Sequence, residues 1–156
     1  MNAKKYADVG KALNDNTKRL SRTVVIGGPA NLNAMVALSY AKNLPHESIT
    51  SMTRLYQEQA MSYLGIRTGH KPHQVKKLAV WGNTSTSMFI DTRRTSINHF
   101  PIDSLVEKSW INDEMGPRVK QRFLEIIKLR KLSAAASTAN ASLLHMRDWL
   151  NGSVDW

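Results

Sequence analysis

The chain has no cysteine among its 156 residues. That excludes a disulfide framework, a thiol nucleophile and a thiolate metal site. No apolar run approaches the roughly 20 residues that a membrane-spanning helix needs, so membrane insertion is not expected. None of its 8 glycines falls in a G-x-G-x-x-G pattern, which excludes the Gly-rich phosphate turn of a dinucleotide-binding fold from this stretch. Aromatic residues make up 7% and are not interleaved with the basic clusters, so no stacking platform for bases is apparent. Acidic residues are also scarce: 12 Asp and Glu stand against 22 Lys and Arg, a formal net charge of +10. Such an excess draws a chain toward an acidic protein surface, nucleic acid or anionic lipid. There is no internal repeat, low-complexity segment or linker.

What is present is a core-forming composition, 42% hydrophobic, in a length that suits one domain or part of one. The organising stretch is Thr23 to Asn33. Thr23 to Ile26 reads as a buried strand, Gly27-Gly28-Pro29 breaks it, and Asn31 is expected to cap a helix running through Met35, Val36 and Leu38 to Lys42. Strand, turn and helix make one βα unit of an α/β fold. Such turns lie at the carboxyl ends of strands, where open α/β sheets bind ligands. Before it, Tyr6, Val9, Leu13 and Leu20 predict an amphipathic helix over Lys4 to Leu20. Asp8 and Asp15 argue against a transit peptide there, and no apolar core of a secretory signal is expected.

Further along, Ser48 to Thr53 reads as a strand and Arg54 to Leu64 as a helix with Gly65 at its C-cap. A loop covers Thr68 to Pro72. His73 to Lys77 leads into a strand that continues through Lys77 to Trp81 and breaks at Gly82-Asn83-Thr84. Met88 to Asn98 reads as extended, a hairpin or edge strand. Pro101 opens a helix-like segment to about Trp110. Pro117 opens a long basic helix to Lys131, with Val119, Phe123, Ile126 and Ile127 on one face. A final helix is expected over Ser133 to Trp149, its first half rich in alanine and serine.

These pieces resemble the malate dehydrogenase family, in its cytosolic-type branch. The carrying segments are Val25 to Asn33, Thr53-Arg54-Leu55, Val75 to Asn83 and Lys131-Leu132-Ser133-Ala134, with support from Ser109-Trp110 and Arg147-Asp148. The resemblance implies a partial lactate/malate dehydrogenase fold, α/β, in which residues 1–156 form a single segment: the end of the nucleotide-binding domain plus part of the substrate domain. The N-terminal dinucleotide-binding half and the C-terminal strands and helix of the family are expected to lie outside it.

The resemblance also implies where malate chemistry would sit. An asparagine is expected immediately before Pro29, to hold the reacting oxygen, but the residue is Gly28. A carboxylate that orients the catalytic histidine is expected after Thr53-Arg54-Leu55, but the residue is Tyr56. A substrate-clamping arginine is expected one helical turn on, on the same face, but the residue is Gln59. The histidine base is expected after Trp81-Gly82-Asn83, but the residue is Thr84. Threonine is no base near neutral pH, tyrosine is uncharged there, and glutamine makes no charged fork with a carboxylate. Removing one member of such a unit already costs orders of magnitude. Asn31 and Ser133 persist at positions that lie near the cofactor in the family. They are read here as a helix cap and a helix start, with no cofactor held.

The other candidates are weaker. His70 and His73 share an i,i+3 spacing, but Pro72 lies between them and no carboxylate or cysteine is near, so no metal is expected. Basic clusters occur at Lys71, Lys76 and Lys77, at Arg93 and Arg94, and along the Pro117 helix. Arg118, Arg122, Lys128, Arg130 and Lys131 form the candidate interaction surface. The reading that follows is a catalytically silent, malate-dehydrogenase-derived structural subunit of a larger protein assembly; a mitochondrion or a cilium (its axoneme) would suit one. Its docking surfaces would be the Arg54 and Ser133 helices, which in the resembling enzymes belong to dimer contacts. The alternatives are one fragment of a split NAD-dependent malate dehydrogenase completed by a partner chain, and a basic nucleic-acid-contacting module.

Overall fold

A computed structural model of the chain describes residues 2–83 and 87–153. It divides into two compact units, residues 1–52 and 53–156.

The first unit is built on a helix pair and a short parallel sheet. Helix α1 (Asn2–Asn16) directs Tyr6 and Leu13 against a cluster that includes Val25, Ala34, Ala37, Leu44 and Ile49. It stops short of the expected Leu20, which is 90% exposed. At that end the Asn16 amide and the Thr17 hydroxyl fold back to donate to the carbonyls of Ala12 (2.9 Å) and Leu13 (2.6 Å), local bonds by which such side chains compete with regular helix. Strand β1 (Thr23–Val25) follows, one residue shorter than expected. Helix α2 (Ala30–Tyr40) ends before Lys42, and strand β2 (Ile49–Ser51) pairs parallel to β1 with Thr23 opposite Ile49 and Val25 opposite Ser51.

The second unit starts on helix α3 (Arg54–Thr68). Gly65 is not its C-cap. The helix runs a further turn, and Gly69, with φ of +72°, takes the left-handed cap position. Gly65 is instead buried inside the helix, its carbonyl accepting from the His70 amide at 2.9 Å. The strand expected from His73 to Trp81 is two strands. Lys77 has φ of +59° and turns the backbone out of the extended region, separating β3 (Val75–Lys76) from β4 (Ala79–Trp81).

The 88–98 stretch is a hairpin partner to both. Strand β5 (Phe89–Asp91) pairs antiparallel with β4, and β6 (Ser96–Ile97) pairs with β3. Strand β7 (Phe100–Pro101) then adds to β6, where a helix had been expected to open. A short 3-10 turn at Ile102–Ser104 does follow Pro101, and the α-helical run starts at α4 (Lys108–Trp110). It continues through a π-helical turn at Ile111–Met115 into α5 (Gly116–Arg130), so Pro117 stands in the first turn of a helical run already under way. Helix α6 (Ala135–Asn151) closes the unit. Leu64, Val75, Leu78, Ile97, Met115 and Val119 are among its most buried residues, so α3, the two small sheets and α5 share one core. No helix among the described residues is long and apolar enough to cross a membrane.

Candidate functional site

In the first unit the Gly-Gly-Pro turn is braced by two asparagines. Asn31 does not cap α2. The cap position is Pro29, no side chain caps the helix, and Asn31 lies one residue inside it, where its side-chain oxygen accepts from the Ser51 hydroxyl. Asn33 is 2% exposed and its amide donates to the Gly27 carbonyl at 2.8 Å. Both asparagines therefore fix the turn, one against β2 and the other against the turn's own backbone. Gly28 is exposed and joined to Pro29 by a cis peptide bond; its carbonyl accepts from the Asn2 amide at 3.2 Å. With no side chain, residue 28 cannot supply the side-chain amide that the resemblance places there.

In the second unit the first turns of α3 carry positions 56 and 59. Their side chains meet different surroundings. Tyr56 packs against the core cluster that contains Ala60, Leu64 and Met115. Gln59 faces a groove of about 740 Å³ between α3, α5 and α6, with Leu55, Tyr63, Arg122 and Asn140 among its walls. Residues three apart on a helix are about 60° apart around its axis, enough here for one to pack against the core while the other meets the groove. The Gln59 side-chain oxygen is buried without a hydrogen-bond partner. The groove wall thus presents a neutral amide where a guanidinium would present charge.

Thr84 lies outside the described residues. Three residues earlier in the sequence, the Trp81 indole donates to the Asp91 carboxylate at 3.2 Å, and Arg93 grips the same carboxylate at 2.7 and 2.9 Å. Those bonds hold Asp91 well below the ordinary carboxylate range. Ser133 does not start α6: it is exposed, and the helix begins at Ala135 with Ala134 at the cap position.

The candidate basic surface divides in two. Arg118 pairs with Glu114 (3.7 Å) and Arg122 with Glu125 (3.3 Å), so their charge is balanced along the helix. Lys128 and Arg130 stand exposed in the last turn of α5, where cations complement the helix dipole, and Lys131 caps that end with φ of +56°.

Sequence reading missed the pairing that ties α3 to α6. The Arg54 guanidinium donates to Asp148 at 2.7 Å and to Glu58 at 3.1 Å, and Arg147 reaches Asp148 at 2.7 Å. Burial pushes the Asp148 carboxyl up, but the hydrogen bonds and charges of Arg147 and Arg54 outweigh it and hold the group below its usual value of 3.8. A carboxylate lowered on folding contributes stability that is present above its unfolded value and lost as pH falls through the folded one. Arg54 and Asp148 have side-chain exposures of 24% and 22%. Asp148→Asn is therefore expected to cost about 1–3 kcal/mol at pH 7. It is also expected to flatten the stability loss below about pH 4, as read from urea midpoints at pH 7 and pH 3.

Comparison with known proteins agrees with this architecture. Residues 53–156, which coincide with the second unit, match the family described as lactate/malate dehydrogenase, alpha/beta C-terminal domain. The chain is 37% identical over 155 residues to a malate dehydrogenase of Corynebacterium efficiens, covering 99% of this chain and 48% of that protein. A malate dehydrogenase of Corynebacterium jeikeium is likewise 37% identical over 157 residues, with the same coverage. Among solved structures, malate dehydrogenase from Naegleria fowleri superposes with a TM-score of 0.88 at 34% identity, over 94% of this chain and 46% of that one. Trichomonas vaginalis lactate dehydrogenase, solved with NADH and oxamate, gives a TM-score of 0.89 at 27% identity, over 96% and 46%. The chain spans about half the length of the curated relatives it matches.

Proposed function

The chain belongs to the lactate/malate dehydrogenase family, and on that footing we propose that it is a non-catalytic member serving as a structural subunit of a larger protein assembly. One observation carries the reading: the α3 positions that would supply a carboxylate and a substrate-clamping arginine hold Tyr56, half-buried against the core, and Gln59, uncharged at the groove. Malate oxidation needs a base, an orienting carboxylate and a cationic clamp acting as a unit, and effects within such a unit are not made good by the members that remain. Gly28 and Thr84 remove the other two groups. A two-stranded parallel sheet gives the subunit role its physical motive. Parallel sheets are normally covered on both faces and extended by neighbouring strands, and β1 and β2 pair only with each other among the described residues.

The test is native purification of the chain with mass identification of what remains bound, followed by an assay of malate-dependent NAD reduction on the same preparation. A stoichiometric assembly without that activity is the expected result. Activity that Gln59→Ala in this chain abolishes would overturn the reading. So would a single partner that carries a Gly-rich dinucleotide half and restores turnover, which would make the chain one part of a split enzyme.

A further inference from the structure

The cations of α5 fall into two sets. Arg118 and Arg122 are paired with Glu114 and Glu125 along the helix. Lys120, Lys128 and Lys131 have no ion pair among the described residues, and they are set in a pattern with two apolar side chains. Lys120, Leu124, Ile127 and Lys131 follow one another at intervals of four, three and four residues, which places them within about 60° of one another around the helix axis. Lys128 widens this stripe by about 40°. Leu124 is 63% exposed and Ile127 36%, while Lys128 and Lys131 are exposed and Lys120 is half-buried. No carboxylate lies in the stripe, since Glu125 stands about 100° round the axis from Leu124 and is held by Arg122.

Alternating steps of three and four are the spacing at which two helices pack side by side. The stripe is thus half of a short helix–helix seam, with two apolar layers closed at each end by a lysine. Val119, on the neighbouring face, anchors α5 in the core of the second unit, so the seam is presented on a fixed helix. The pattern selects the occupant. A second copy of the chain would bring lysine against lysine in a protein of net charge +10. A phosphate backbone would meet the ammonium groups but leave Leu124 and Ile127 uncovered. A lipid surface takes helices whose apolar side chains face inward with cations on the opposite, polar face, whereas Lys120 and Lys131 lie in line with the apolar pair and would be carried toward the acyl layer with it. A helix with its own apolar pair and flanking carboxylates satisfies every position.

We propose that this stripe of α5 docks an acidic amphipathic helix of a partner chain, which seats two apolar side chains on Leu124 and Ile127 and sets carboxylates against Lys120 and Lys131. The apolar contact supplies the burial and the end charges fix register and partner choice, as in other helix pairs. The inference rests on the structural-subunit reading, for which it gives the chemistry of one partner surface.

The test uses the full 156-residue chain and a fluorescein-labelled, hydrocarbon-stapled helical peptide, followed by anisotropy. The peptide carries leucines spaced i, i+3 at its centre and a glutamate one turn beyond each. Lys120→Glu with Lys131→Glu is expected to weaken binding at least tenfold, and a peptide with lysines in place of its glutamates should bind that variant within threefold of the original pair. Leu124→Ala with Ile127→Ala should weaken binding at least threefold, with circular dichroism to confirm folding. Lys4→Glu with Lys5→Glu makes the same change of net charge on α1 and should leave affinity within twofold. The proposal is overturned if the wild-type chain does not bind the peptide, if a scrambled peptide of the same composition binds as well, or if the charge-swapped peptide fails to recover the reversed variant. Tighter binding of a uridine 12-mer or of phosphatidylserine vesicles, lost in the same variants, also overturns it. The subunit reading fails separately: a wild-type chain that purifies alone from its native source overturns that reading, whereas a native assembly that takes up the Lys120→Glu, Lys131→Glu chain as well as wild type overturns only the docking surface.

Discussion

Tyr56→Asp, which returns a carboxylate to the position where the resemblance places one, is expected to destabilise the second unit by about 2 kcal/mol and to restore no chemistry. Truncating a fully buried aromatic costs about 3–5 kcal/mol, and Tyr56 is half-buried against the core cluster, so the loss from packing is smaller, about 2–3 kcal/mol. The new aspartate would sit in the first turn of α3, where the helix dipole favours a negative charge by about 0.3–1 kcal/mol. Packing therefore outweighs the dipole. The change should appear as a melting point lower by roughly 4–8 °C for a chain of this size. In the native assembly, the triple variant Tyr56→Asp, Gln59→Arg and Thr84→His should show no malate-dependent NAD reduction. A gain of activity would instead point to a site completed in trans.

Gly10→Val is expected to have the larger effect on stability, about 3 kcal/mol or more, concentrated in the first unit. Helices α1 and α2 meet where Gly10 lies against Ala37. A Cβ at residue 10 would stand 2.2 Å from the Ala37 carbonyl oxygen and 3.0 Å from its carbonyl carbon. Those are backbone atoms of a residue with 0% exposure, so nothing can rotate aside and the helices must separate. Gly10→Ala supplies the sign test. In an isolated helix it would stabilise by about 0.8–1 kcal/mol, whereas here it should destabilise. Urea midpoints, with amide hydrogen exchange across α1 and α2, distinguish the two: a neutral or stabilising Gly10→Ala would show that the close approach does not govern the pairing.

Much of the fold was legible because its signals are local. The Gly-Gly-Pro break, the periodicity of α3 and the basic helix after Pro117 are patterns within a few turns of chain, and each is an element of the structure. The errors share a cause as well. Asn31 has the chemistry of a cap, but Ser51, twenty residues on, takes its side-chain oxygen. Gly65 is a common C-cap residue, yet the turn to His70 closes on its carbonyl and leaves the left-handed position to Gly69. Composition does not reveal that Lys77 adopts positive φ, so one expected strand became two.

The sequence by itself determined the family and the residue types at the positions where the resemblance places catalytic groups. Motif order and the chemical identity of a side chain are properties of a one-dimensional string, and a threonine or glutamine carries its lack of charge into any fold. Only the tertiary structure decided that Tyr56 packs against the core while Gln59 meets a groove, and that Arg54 pairs with Asp148 from 94 residues away. It also decided which cations stay free: Arg118 and Arg122 are paired along α5, while Lys128 and Lys131 at its end have no ion pair among the described residues. Charge adds up along a sequence, whereas the field that a ligand meets depends on which charges packing brings together and which it neutralises.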